Sequence, residues 1–249
     1  MKLQLAAALL ATALASPAFA DADAPPPVDH FVAGTVSTAE GGLLGKPKVF
    51  LPSGAVTGAV FLFSDAKGWS ADEEAAATKL QGEGAIVVGV ETPVLFASLE
   101  KDSADECVYL VSHSIQRALN TENYSSPIVA GVGEAGALGL AIAAQTPDAT
   151  MGHTVSVDPT LAISLVKTLC TDAPHVTTNG QTVYGLAPDD LTNPVDVYFT
   201  AAAPADGKAH VAELQAKGFA IKSKAADGKP YEALQARLDH LVTPRSEAD

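Results

Sequence analysis

The chain has 249 residues, 47% of them apolar and 18% charged, with a formal net charge of −14. That length suits one large α/β domain with a substantial core. The acidic balance repels phosphate backbones and anionic lipid surfaces, which excludes nucleic-acid binding as a leading reading.

Residues 1–20 carry the pattern of a secretory signal: Lys2 as the basic start, an apolar run over 3–14, and Ala18-Phe19-Ala20 as the cleavage site. The run is too short to span a bilayer, and no lipobox cysteine follows it. The mature chain is therefore expected to begin near Asp21 and to be soluble, without an integral membrane segment. The alanine-rich style of the signal points to a bacterium, hence to the periplasm. Residues 21–30, with Pro25-Pro26-Pro27, read as an extended leader.

Short β-type segments are expected over 31–36 and 48–51, separated by a turn-rich stretch. From residue 59 strands and helices alternate. Strands are predicted over 59–63, 86–90, 128–132, 153–157, 195–199 and 219–224; helices over 71–80, 103–119, 135–144, 208–217 and 231–241. Residues 160–193 read as irregular and 243–249 as a polar tail or linker. Continuous apolar strands between helices imply a mostly parallel sheet covered on both faces, with the early strands joining it in antiparallel fashion. One domain is expected over 31–242.

Two cysteines, Cys107 and Cys170, in an oxidising compartment are expected to pair, the alternative being two separate buried thiols. Neither looks catalytic, since Cys107 follows Asp105-Glu106 with no base beside it. The six histidines show no paired metal-ligand spacing, so no metal site is expected, and no cofactor is implied.

The most informative stretch runs from Pro127 to Leu138: a buried strand, a glycine-rich turn and a helix start. That is the local architecture of a nucleophile elbow, in which a strained turn presents a nucleophile between small residues. Two frames fit. Gly131-x-Gly133-x-Ala135 puts glycine at the tip and is preferred; Val132-x-Glu134-x-Gly136 puts glutamate there. Neither offers Ser, Cys or Asp. The same letters also match the dinucleotide fingerprint, Gly131-x-Gly133-x-x-Gly136. That reading is disfavoured, because several strands precede the motif and the expected carboxylate near Asp148 falls at a helix end.

Phe61-Leu62-Phe63-Ser64-Asp65-Ala66-Lys67-Gly68-Trp69, then Val87-Val88-Gly89-Val90-Glu91, then the elbow stretch follow one another in an order that resembles the α/β-hydrolase fold. More narrowly, the order resembles the bacterial virulence family of VirJ and AcvB, over roughly residues 31–242. The resemblance implies a three-layer α/β-hydrolase-like sandwich. AcvB-type members hold two such domains, the second carrying a serine elbow and acting on aminoacylated phosphatidylglycerol; this chain looks most like the first. It departs from the catalytic pattern at the elbow, and again after the last strand, where Ala225-Ala226-Asp227-Gly228-Lys229-Pro230 contains no histidine. His240 lies about ten residues too far on. Asp158 and Asp206 remain as acid candidates.

The resemblance and the two lost positions together imply a noncatalytic domain that binds a periplasmic protein, a catalytic homologue or a lipid headgroup. The alternative is an ester hydrolase of aminoacyl-phosphatidylglycerol type, with an atypical site built from Glu134 as base and Asp158 or Ser64 assisting. The expected pocket is Ser64, Asp65, Gly68, Trp69, Gly131, Gly133, Glu134 and Asp158. Each has a plainer role. Glu134 complements a helix dipole, Ser64 and Asp65 are turn residues, Trp69 is a packing anchor, and Asp158 before Pro159 marks a strand end.

Overall fold

The computed structural model describes residues 34–38, 44–102, 107–108, 110, 127–146, 150–165, 167–187 and 190–242. The signal, the leader and the tail lie outside the described residues. Among the described residues ten strands are seen: β1 (Val36–Thr38), β2 (Lys48–Phe50), β3 (Gly58–Phe63), β4 (Ala85–Val90), β5 (Ile128–Val132), β6 (His153–Val157), β7 (His175–Thr178), β8 (Gln181–Tyr184), β9 (Val195–Phe199) and β10 (Ile221–Ala225). The helices are α1 (Ala71–Gly82), α2 (Thr92–Asp102), α3 (Glu134–Gln145), α4 (Ala205–Ala216) and α5 (Pro230–Val242).

Eight strands form one sheet in the order β1-β2-β4-β3-β5-β6-β9-β10. β2 pairs antiparallel with both β1 and β4, and every other pairing is parallel. β3 (GAVFLF), β4 (AIVVGV) and β5 (IVAGV) are buried along their whole length, as strands covered on both faces must be. Successive side chains point to opposite faces, and β3 shows the result. Phe61 and Phe63 join a core with Leu95 and Leu99 of α2, Leu138 and Ile142 of α3, and Val211 and Leu214 of α4. Val60 and Leu62 join a second core with Ala76 and Leu80 of α1 and Leu234 and Leu238 of α5. The three expected layers follow, with α1 and α5 on one face of the sheet and α2, α3 and α4 on the other.

Several boundaries differ from the sequence reading. The first strand lies at Val36–Thr38, and residues 31–33 are not described. α2 occupies a stretch given no helix, although Pro93 stands in its first turn, where a missing N–H costs nothing. The expected irregular stretch contains the β7–β8 hairpin, turned by Asn179 (φ 51°) and Gly180 (φ 76°). Asn-Gly with both residues at positive φ is the pair a type I′ turn requires. Of the helix expected over 103–119 only 107, 108 and 110 are described, the rest lying outside the described residues; those three are not helical, and Val108 forms a parallel bridge with Leu169.

That bridge sits beside the Cys107–Cys170 disulfide, with an S–S distance of 2.07 Å. Gln145, the last residue of α3, braces it: its amide donates to the carbonyls of Val108 (2.7 Å) and Cys170 (3.2 Å), and its carbonyl accepts from the Leu110 N–H (2.9 Å). The bridge closes a separation of 63 residues. Loop closure of that size stabilises the fold by about 4 kcal/mol in the chain-entropy account.

Candidate active site of a hydrolase-like fold

The glycine-rich turn joins the carboxyl end of β5 to α3. Gly133 is the tip, at φ 63° and ψ −121°, and Glu134 is the first residue of the helix. The backbone therefore adopts the glycine frame. This left-handed conformation strains any residue with a Cβ, and glycine takes it freely. Gly131 lets the helix close onto the strand, since a Cβ there would stand 2.6 Å from that of Ala135. The tip is stitched to β6: the Gly133 N–H donates to Val157 O (2.9 Å), and Gly133 O accepts from the Thr160 N–H (3.2 Å).

The space above Gly133 is taken by Asp65, from the loop after β3. A Cβ built on Gly133 would lie 2.5 Å from Asp65 Oδ1. The same oxygen accepts from the Glu134 N–H at 3.0 Å. A carboxylate at a helix N-terminus is favoured by the exposed amides and the dipole. The Asp65 N–H is engaged as well, donating to Glu73 Oε1 at 3.3 Å.

Glu73 is buried and organises this corner. With Ser70 it forms the capping box of α1. It also accepts from the hydroxyl of Tyr231, at the start of α5. Burial pushes the Glu73 carboxyl up, but the hydroxyls of Ser70 and Tyr231 and nearby backbone amides outweigh it, leaving its pKa below the usual carboxylate value. Burial, and then the Glu73 carboxylate, drive the Tyr231 phenol far above its ordinary range. Sequence reasoning missed both residues. The Ser70-x-x-Glu73 spacing is a capping-box signature, but nothing local marks Tyr231.

Each expected pocket residue has an internal partner or a packing role. Ser64 is wholly buried: its Oγ accepts from the Thr92 N–H (3.1 Å), and its carbonyl accepts from the Thr92 hydroxyl (2.6 Å). Glu134 is buried, and its carboxylate accepts from the Ser164 N–H. Asp158 has φ 47° and accepts from the Thr200 N–H (2.7 Å) and hydroxyl, tying the end of β6 to the end of β9. Asp206, in the first turn of α4, accepts from the adjacent Gly207 N–H at 2.8 Å. Trp69 donates to Glu74 Oε2 (2.6 Å), stacks on Phe50 (6.1 Å between centroids) and lies over Gly89. Gly68, at φ 87°, makes the turn before it. Asp65, Gly131, Gly133 and Glu134 come together at the elbow, while Ser64 and Asp158 serve neighbouring strand ends.

No described histidine hydrogen-bonds to Ser64, Asp65, Gly133 or Glu134. His210 contacts Tyr184 O and His175 contacts Ala173 O. His240 is exposed on α5, and His30 and His113 lie outside the described residues. The one described histidine–carboxylate pair, His153 with Asp196, is at the opposite, amino-terminal end of the strands. Among the described residues no group of three His, Cys, Asp or Glu is placed to hold a metal, and no helix is long and apolar enough to cross a membrane.

No protein-family model matches the chain, and no curated protein matches it. Solved structures do. A thioesterase domain from the curacin biosynthetic pathway aligns with a TM-score of 0.51 and 10% identity, covering 86% of this chain and 100% of the other. A hormone-sensitive lipase from a metagenome library gives 0.52 and 12%, covering 87% and 86%. Dienelactone hydrolase from Anabaena variabilis gives 0.51 and 13%, covering 84% and 94%. These likenesses, the strand order and the turn after β5 define the class: the chain has the α/β-hydrolase fold.

In that fold the nucleophile side chain rises from the elbow tip. Its oxyanion is held by the N–H of the following residue and an N–H from the loop after β3. Here the tip has no side chain. The following N–H, that of Glu134, holds the Asp65 carboxylate, and a loop N–H, that of Asp65, holds Glu73. The turn that would seat a dinucleotide pyrophosphate holds the same Asp65 carboxylate; Asp148 is outside the described residues.

Proposed function

We propose that this chain is a secreted, noncatalytic α/β-hydrolase-like domain of the VirJ/AcvB virulence type, which binds a protein or lipid-related partner in the bacterial periplasm. One observation carries the noncatalytic part. The Asp65 carboxylate lies where the nucleophile belongs and occupies the amide donor that would stabilise an acyl-transfer oxyanion. A triad without nucleophile or histidine loses nearly all of its catalysis, keeping only what binding and the oxyanion site supply. In this chain the oxyanion donors are themselves engaged. The signal pattern at residues 1–20 supports secretion, and the order of the Ser64–Trp69 turn, β4 and elbow supports the family.

The alternative, an aminoacyl-phosphatidylglycerol hydrolase using Glu134, Asp158 or Ser64, requires those groups to leave their present hydrogen bonds. The binding reading needs no such rearrangement. The test is hydrolysis of p-nitrophenyl acetate and butyrate by the purified protein. The expected rate equals that of Asp65→Asn and Glu134→Gln variants and of the buffer. Turnover well above buffer that falls at least a hundredfold in either variant would overturn the proposal.

A further inference from the structure

A second constellation lies at the far end of the sheet from the elbow. His153 opens β6, Asp196 lies in β9 and Arg237 projects from α5. Asp196 Oδ2 accepts from Arg237 Nη2 at 2.6 Å and faces His153 Nε2 at 2.8 Å. The contact between Arg237 Nη2 and His153 Nε2 is longer, 3.4 Å. The carboxylate is the better partner, so Nε2 carries the ring proton and Nδ1 presents a lone pair. Nδ1 has no hydrogen-bond partner among the described residues, although His153 is only 9% exposed.

His153 lines a cavity of about 270 Å³. The other walls are Thr57, Gly58, Ala59, Ile128, Gly152 and Leu241. The cavity exists because β3 starts two residues before its pairing with β5 begins, at Val60↔Ile128. At Gly58 an added Cβ would meet nothing within 4 Å. The cavity volume falls near the ~300 Å³ lower end of small-molecule pockets. The lining is mainly apolar, and Asp196 is paired with Arg237 beside it. A cation meets the positive fields of Arg237 and Lys222, and an anion has no proton to give the Nδ1 lone pair, whereas an uncharged apolar molecule with one strong donor finds both its needs met.

We propose that this cavity is a binding site for a small phenol-class molecule, its ring against Ala59, Ile128 and Leu241 and its hydroxyl donating to His153 Nδ1. Asp196 and Arg237 are positioning residues that fix the tautomer and orientation of the histidine, as a carboxylate does for a ligating histidine. This site is independent of the elbow and of the reading given to it.

The experiment titrates the protein with 4-ethylphenol and, separately, with ethylbenzene, following the imidazole carbon–proton resonances of His153 by NMR. The expected result is saturable binding of 4-ethylphenol with a shift at His153, and binding of ethylbenzene about tenfold weaker, as loss of one hydrogen bond requires. Leu241→Trp fills the cavity while leaving the Asp196–His153–Arg237 contacts in place, and should abolish both titrations with the His153 resonances still native. His153→Phe should bring the two affinities together. Equal affinities in the wild type, no shift at His153, or unchanged binding in Leu241→Trp would each overturn the proposal.

Discussion

At position 133 the backbone adopts the elbow conformation on a residue with no side chain to present. A side chain at φ 63° costs about 1–2 kcal/mol in strain, and active sites bear such strain because it exposes a nucleophile. Gly133 holds the geometry without strain, and the freed volume is filled by Asp65 Oδ1. The two positions should therefore be energetically coupled. Gly133→Ser alone is expected to destabilise the fold by about 2–4 kcal/mol, from strain plus the collision with the carboxylate. Asp65→Ala alone should cost about 1–2 kcal/mol through the lost bond to the Glu134 N–H. The double variant should be at least 1 kcal/mol more stable than the two losses combined predict, a cycle read by urea denaturation. Additive losses would show that the two side chains do not compete for one space. The sequence displayed the missing nucleophile plainly. It placed Asp65 in the pocket but did not disclose its bond to the Glu134 N–H, because that contact joins residues 69 apart, across β3 and β5.

Among the elements, those with strong periodic or local signals were the legible ones. The core strands were found almost to the residue, because whole runs such as AIVVGV are apolar. α1 was readable from its acidic first turn and α5 from its spaced apolar residues. α2 and the β7–β8 hairpin were not, although Pro93 suits a helix start and Asn179-Gly180 a tight turn. The loop between β3 and α1 shows how elements lock together. Trp69 lies flat on β4 at Gly89, where a Cβ would come within 2.2 Å of the indole ring. Gly89→Ala should therefore destabilise the protein by about 1–3 kcal/mol through overpacking. Because Trp69 is the only tryptophan, its emission should shift red in the native state as the indole is lifted off Phe50. An unshifted spectrum with unchanged stability would refute this packing role.

For the molecule as a whole, acid is the natural probe of buried charge. Burial lowers the His153 pKa below 6.5, more than Asp196 raises it, and Arg237 and Lys222 add to the fall. The unfolded ring binds a proton near 6.5 that the folded ring refuses. Stability should thus be full above that value and decline as pH drops toward the folded pKa. Glu73, lowered from 4.5, adds a second decline that begins only below that pH. Denaturation midpoints measured from about pH 8 to about pH 3 should show both phases, with His153→Gln removing the first and Glu73→Gln reducing the second, to which Glu74 also contributes. A flat profile between pH 6.5 and 5 in the wild type would contradict the first assignment. The elbow has a consequence on a longer timescale. Placing a hydroxyl at its tip by one codon change meets an occupied seat, and vacating that seat first gains no chemistry. A laboratory search for ester cleavage at this turn must therefore alter residues 65 and 133 in the same molecule, and libraries that vary one site at a time should return only damaged proteins.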